Sequence, residues 1–245
     1  MRERTNIAVI LGVTALVTPL VVNSSVLKRE LPVLSVVCIG AFVLMWDRQL
    51  DRADGVVLLV ALIAVLVWMA RMAKVGAPLA AGDDRAVDVP EQAPMGRAIL
   101  WTVVGLILLP LSSQLLVWGA VNVANTFGIS DLVIGLTIVA LGTSLPELAA
   151  SVAGALKGEP EIALGNVLGS NLFNLLVVLA MPAWLSPGLV DAAVLTRYMP
   201  VMLPLTALMF LMCAGWRGRG QITRIEGSLL LVAFVGYETL LLISG

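Results

Sequence analysis

Two short runs hold the residues best suited to bind a cation: Gly142-Thr143-Ser144-Leu145-Pro146-Glu147 and Gly165-Asn166-Val167-Leu168-Gly169-Ser170-Asn171, with Asn174 close behind. Both lie within 135–174, in two adjacent apolar segments where each polar group is costly. A Glu at the centre of a membrane helix costs roughly 2.5 to 3.5 kcal/mol on insertion scales. No Lys or Arg lies nearer than Lys157 to neutralise Glu147. A bound cation is the simplest compensation.

The first run is built to break a helix. Pro146 removes an N–H from the ladder and Gly142 loosens the backbone, so carbonyls such as that of Ala140 can turn toward a ligand. Thr143 and Ser144 add hydroxyls, and Glu147 adds a carboxylate about one turn further on. In the second run Gly165 and Gly169 have the small-xxx-small spacing that lets helices approach closely. Ser170, Asn171 and Asn174 follow, and Ser170 and Asn174 share a helix face. Every candidate ligand is an oxygen, which suits Ca2+ or Na+ rather than zinc or copper. Calcium usually takes six to eight oxygens and more negative charge than one carboxylate, so the constellation reads as half of a site. Blander roles stay open: a helix-packing seam for the whole, back-bonding hydroxyls for Thr143 and Ser144, and interhelical hydrogen bonding for Asn166 and Asn171. Glu238, near the C-terminus, reads as interfacial.

The elements that must position these residues are membrane helices. Of the 245 residues 60% are hydrophobic and 13% charged, too few polar groups for the surface of a soluble fold. A net charge of −1 offers nothing to nucleic acid, and without His the usual proton relay is missing. Cys38 and Cys213 sit in apolar runs as small core residues. Windows long enough to span a bilayer fall near 7–22, 31–46, 55–75, 98–119, 132–156, 161–183, 199–214 and 227–244. The expected fold is an all-α polytopic membrane protein of about eight transmembrane helices. The polar segment 76–97 reads as a linker. With alternating spans, ten Lys and Arg fall on the linker's side and five on the other, which places the linker in the cytoplasm.

The chain also aligns with itself. Asn6 to Val33 match Asn174 to Val201 without a gap, including Pro19 with Pro187, Arg29 with Arg197 and Pro32 with Pro200. After a shift of four, Arg52-Ala53-Asp54-Gly55 matches Arg224-Ile225-Glu226-Gly227. Alternating spans give the two copies opposite orientations, the inverted-repeat pattern of secondary transporters. Asn6 then occupies the position of Asn174.

At these residues the sequence resembles the sodium/calcium exchanger family of the cation/calcium antiporter superfamily, in its bacterial calcium/sodium antiporter form. The runs from Gly142 and Gly165 resemble that family's second α-repeat. The resemblance implies a ten-helix fold of two inverted halves, of which the spans here match the last eight: 1–75 as a remnant of the first repeat, 76–97 as linker and 98–245 as a complete second repeat. It implies ion ligands at Glu147, Ser144, Thr143, Ala140, Ser170 and Asn174; Asn171, from its place in the second run, and Asn6, from the repeat alignment, are further candidate ligands. The implied activity is Ca2+ extrusion coupled to Na+ entry by alternating access in a bacterial inner membrane, with no cofactor and no enzymatic chemistry. Calcium/proton relatives place a Glu soon after the Gly-Asn pair, where this chain reads Val167-Leu168-Gly169, so sodium coupling is favoured. The first repeat's Gly-Thr-Ser-Leu-Pro-Glu run has no counterpart in 1–245, so an N-terminally truncated member is expected. The rival reading is a non-transporting fragment. Self-association would complete the site only by antiparallel insertion, which the charge bias opposes.

Overall fold

The computed structural model describes residues 2–22, 26–76, 94–129, 134–192, 194–214 and 220–244. Most of them are helical, the form in which a chain without water around it satisfies its own backbone. The helices are α1 (2–17), α2 (26–44), α3 (Arg52–Gly76), α4 (Met95–Thr126), α5 (135–142), α6 (Leu145–Leu156), α7 (Pro160–Leu185), α8 (Val194–Ala214) and α9 (Arg224–Ser244). These helices cover the eight windows expected from the sequence, the fifth window being divided between α5 and α6. Arg52–Met72, Met95–Thr126, Pro160–Leu185 and Val194–Ala214 are continuous and apolar enough to cross a membrane. Of the others, α1 is short, α2 opens on Lys28, Arg29 and Glu30, and the fifth pass is interrupted. Most of the expected linker, 77–93, lies outside the described residues. Its edges are tighter than the sequence predicts, since α3 runs to Gly76 and α4 begins at Met95.

Four two-residue strands punctuate the helices: β1 (Leu20–Val21), β2 (Gln49–Leu50), β3 (Gly188–Leu189) and β4 (Gln221–Ile222). They pair antiparallel as β1 with β4 and β2 with β3. The self-alignment carries β1 onto β3 and β2 onto β4, and so carries one pair onto the other with matching register. Local geometry repeats as well. Wide π turns at Asn6–Ile10 and Val26–Glu30 recur 168 residues on, at Asn174–Val178 and Val194–Tyr198. Cys38 and Thr206, also 168 apart, touch side chain to side chain at 3.9 Å where α2 crosses α8.

The packing follows the same correspondence. α9 lies along α1, and α3 lies against α7. A Cβ on Gly227 would come within 2.8 Å of Gly12 O and 2.9 Å of the Ala15 methyl. At the matching contact, a Cβ on Gly55 would come within 2.6 Å of Trp184 and 3.1 Å of the Ala183 methyl. Both contacts need glycine for close helix approach. The first and last helices are also joined by charge. Arg4, 4% exposed, reaches Glu238 at 3.7 Å and lies over the Tyr237 ring at 4.6 Å. Glu238, read from the sequence as interfacial, is the ion-pair partner of Arg4. The core is a continuous apolar body through α1, α2, α7 and α8. α4 instead turns Trp101, Leu106, Leu115 and Trp118 outward, a surface that lipid matches.

Candidate functional site

The break between α5 and α6 decides what the site offers. Thr143 N–H donates to Val139 O at 3.0 Å, and Leu148 N–H to Ser144 O at 3.0 Å. Ser144 N–H, which an unbroken α-helix would give to Ala140 O, goes instead to Leu141 O at 3.0 Å. Gly142 O would pair with the N–H of residue 146, but that residue is Pro146. The carbonyls of Ala140 and Gly142 thus each lose the donor an unbroken α-helix would give them. The second is taken up from outside: Ser113 Oγ on α4 donates to Gly142 O at 2.5 Å. Ser144 caps α6 with φ −100° and ψ 2°, in the sparsely populated bridge region. Glu147 stands in the first turn of α6, where the positive end of the helix dipole favours a carboxylate.

Four of the sequence-predicted residues meet around one side chain. Asn6, 1% exposed, receives a hydrogen bond on Oδ1 from Ser144 Oγ at 3.2 Å. Its Nδ2 donates to Ser170 Oγ at 3.0 Å and to Asn171 Oδ1 at 3.1 Å. Asn6 therefore joins the first helix to both runs identified in the sequence. The π turn that opens at Asn6 widens the helix there, a feature that often marks functional positions.

Glu147 is prepared differently. Its Oε2 is buried without a hydrogen-bond partner. A buried ionised carboxylate left unpaired is costly, so an atom so placed is available to a cation. The backbone around it is held: Asn166 Nδ2 donates to Glu147 O at 2.8 Å and to Ser151 Oγ at 2.9 Å. Asn166 thus serves as interhelical glue, one of the two roles its sequence context left open. Thr143 is half-buried at the break. Asn174, one turn after Ser170, opens the π turn of α7. It lines a cavity of about 360 Å3 with Glu3, Arg4, Leu175, Val178 and Pro182. Among the described residues, no three His, Cys, Asp or Glu side chains gather as a metal site. The donor set is one carboxylate with hydroxyl, carboxamide and carbonyl oxygens, which fits hard cations held in transit rather than a tightly bound structural metal.

Sequence reasoning missed Ser113. It lies 29 residues from its partner, in a helix whose other hydroxyls give no sign of reaching outside it.

The family described as sodium/calcium exchanger protein matches residues 4–71 and 97–243. The chain is 45% identical to CaxA of Alkalimonas amylolytica, over 97% of this chain and 75% of that one. It is 39% identical to the inner membrane protein YrbG of Escherichia coli, over 96% of this chain and 73% of that one. Among solved structures, the sodium-calcium exchanger NCX_Mj superposes with a TM-score of 0.76 at 29% identity, covering 96% of this chain and 71% of the other.

Proposed function

The chain belongs to the sodium/calcium exchanger protein family, and we propose that it extrudes Ca2+ in exchange for entering Na+, by alternating access at the site around Glu147. As a member of that family it is a membrane cation/calcium antiporter; the coupling to sodium, the ligand residues and the orientation are our reading. The observation that carries it is the buried, unpartnered Glu147 Oε2 beside a helix break that releases two carbonyls. A carboxylate in that setting is an incomplete coordination shell, and an arriving cation completes it. Ser144, Ser170 and Asn171 are joined through Asn6 by hydrogen bonds. Their oxygens can turn from these bonds to an ion and back, which lets the site empty as well as fill. Thr143, Asn174 and the Ala140 carbonyl supply the remaining oxygens.

Sodium coupling is favoured over proton coupling because the helix after Asn166 offers no second carboxylate to carry a proton: it reads Val167-Leu168-Gly169-Ser170. The excess of Lys and Arg on one side supports a cytoplasmic 76–97, and the inner-membrane name of the Escherichia coli relative supports a bacterial inner membrane.

The test is radioactive Ca2+ uptake into Na+-loaded proteoliposomes on sodium dilution, with Glu147→Gln beside the natural chain. Sodium-driven uptake that Glu147→Gln lacks is the expected result. Uptake that persists in Glu147→Gln would remove Glu147 from the site. Uptake driven by a proton gradient and indifferent to Na+ would replace sodium coupling with proton coupling, and no uptake from inserted protein would favour a non-transporting chain.

A further inference from the structure

Of the two carbonyls that the helix break deprives of their i+4 donors, one is taken up by a side chain from another helix. Ser113 lies on α4, a helix that otherwise faces outward along most of its length. It is 8% exposed, and its hydroxyl does not bond back to its own helix in the manner of Ser112, whose Oγ donates to Leu108 O at 2.7 Å. It crosses instead to Gly142 O, the acceptor that Pro146 deprives of its helix donor. One turn along, Val117 closes on the same residue: a Cβ on Gly142 would overlap the Val117 Cγ2 methyl. Ser113 and Val117 share one face of α4, and both land on Gly142.

We propose that Ser113 is a positioning residue that selects which backbone oxygen the transported ion meets. By holding Gly142 O against α4, it keeps that carbonyl out of the coordination shell and leaves Ala140 O as the released ligand. The shell stays small, which biases the site toward Na+ relative to Ca2+, because calcium gains from each added oxygen up to six to eight. The inference rests on the exchanger reading for its selectivity step, while the Ser113 link itself stands on geometry alone.

Two measurements on the purified full chain separate these levels, using Ser113→Ala, Ser113→Thr and, as control, Ser112→Ala. In ion-free protein, hydrogen–deuterium exchange over 143–148 should rise about 2- to 10-fold in Ser113→Ala, the span of one net hydrogen bond of 0.5 to 1.5 kcal/mol. It should return to the natural rate in Ser113→Thr and be unmoved in Ser112→Ala. In equilibrium binding of radioactive Ca2+ competed by Na+, Ser113→Ala should raise the Na+ concentration needed to displace Ca2+ by a similar about 2- to 10-fold factor, with Thr restoring it. Exchange unchanged in Ser113→Ala, or equally raised in Ser113→Thr, would overturn the link. Faster exchange with an unchanged Na+/Ca2+ ratio would overturn the selectivity step. If the natural chain binds neither ion, the exchanger reading fails on its own, and the exchange arm still decides the role of Ser113.

Discussion

Asn6 is the side chain whose removal the structure prices most directly. Asn6→Ala deletes three interhelical hydrogen bonds, to Ser144, Ser170 and Asn171. Interhelical side-chain bonds in membrane proteins average about 0.6 kcal/mol each, so the three together come to about 2 kcal/mol. The Asn171 Nδ2 is already buried without a partner, and losing the bond on its oxygen leaves the whole carboxamide unpaired, which adds to the cost. The expected loss is therefore about 2 to 3 kcal/mol. The assay is unfolding in mixed micelles titrated with SDS, followed by tryptophan fluorescence. Thr14→Ala serves as comparison, because Thr14 is equally buried but its hydroxyl bonds only Ile10 O in its own helix, at 2.6 Å. Pairing Asn6→Ala with Ser144→Ala in a double-mutant cycle should return a coupling of about 0.6 kcal/mol for that one bond. A loss no larger than that of Thr14→Ala, or zero coupling to Ser144, would refute the view that Asn6 ties the two runs together.

Three further outcomes follow from particular contacts. Gly227→Ala should destabilise by about 1 to 3 kcal/mol because the new methyl meets the Gly12 carbonyl, which cannot move aside; Gly55→Ala should cost less in the same melts, since its nearest neighbour is the half-exposed Trp184 ring, which can turn. Glu30 precedes the apolar span 31–46, and burial first and the nearby Glu161 second hold its carboxyl above the usual glutamate range. Its neutral form is favoured by folding, so its contribution is present at low pH and is lost as pH rises through the raised value; Glu30→Gln should be more stable than the natural chain at pH 8 and equal to it near pH 4, and the opposite order in pH-dependent melts would reverse the assignment. Asn6→Asp should raise Ca2+ affinity by at least about tenfold in equilibrium binding. The new carboxylate can accept from Ser144 and Ser170, and from Asn171 once its amide turns to use the unpartnered Nδ2; unchanged affinity would place the ion elsewhere.

What could be read in the sequence, and what could not, divides by how far each signal reaches along the chain. The apolar windows give the eight passes because desolvation acts on every residue of a span. Pro146 announces the break because a missing N–H is a property of the residue itself. Ser144, Ser170, Asn171 and Asn6 were legible as polar atoms in costly places, and the repeat brought Asn6 into register with Asn174. Their hydrogen-bond partners were not legible, because a carboxamide in a membrane helix has equal cause to bind an ion or a neighbouring helix. Asn166 settles on a neighbour, holding Glu147 O and Ser151. The strand pairs were invisible for another reason: two residues are too short for any alternation, and only the approach of distant loops makes them strands. Ser113 is the clearest case. Its composition matches Ser112 beside it, yet one bonds its own turn and the other reaches Gly142. The difference lies in which face of α4 meets the break, and that face is set by Val117 closing on a glycine. A proline in one helix thus leaves a carbonyl without its donor, and a serine in another supplies one.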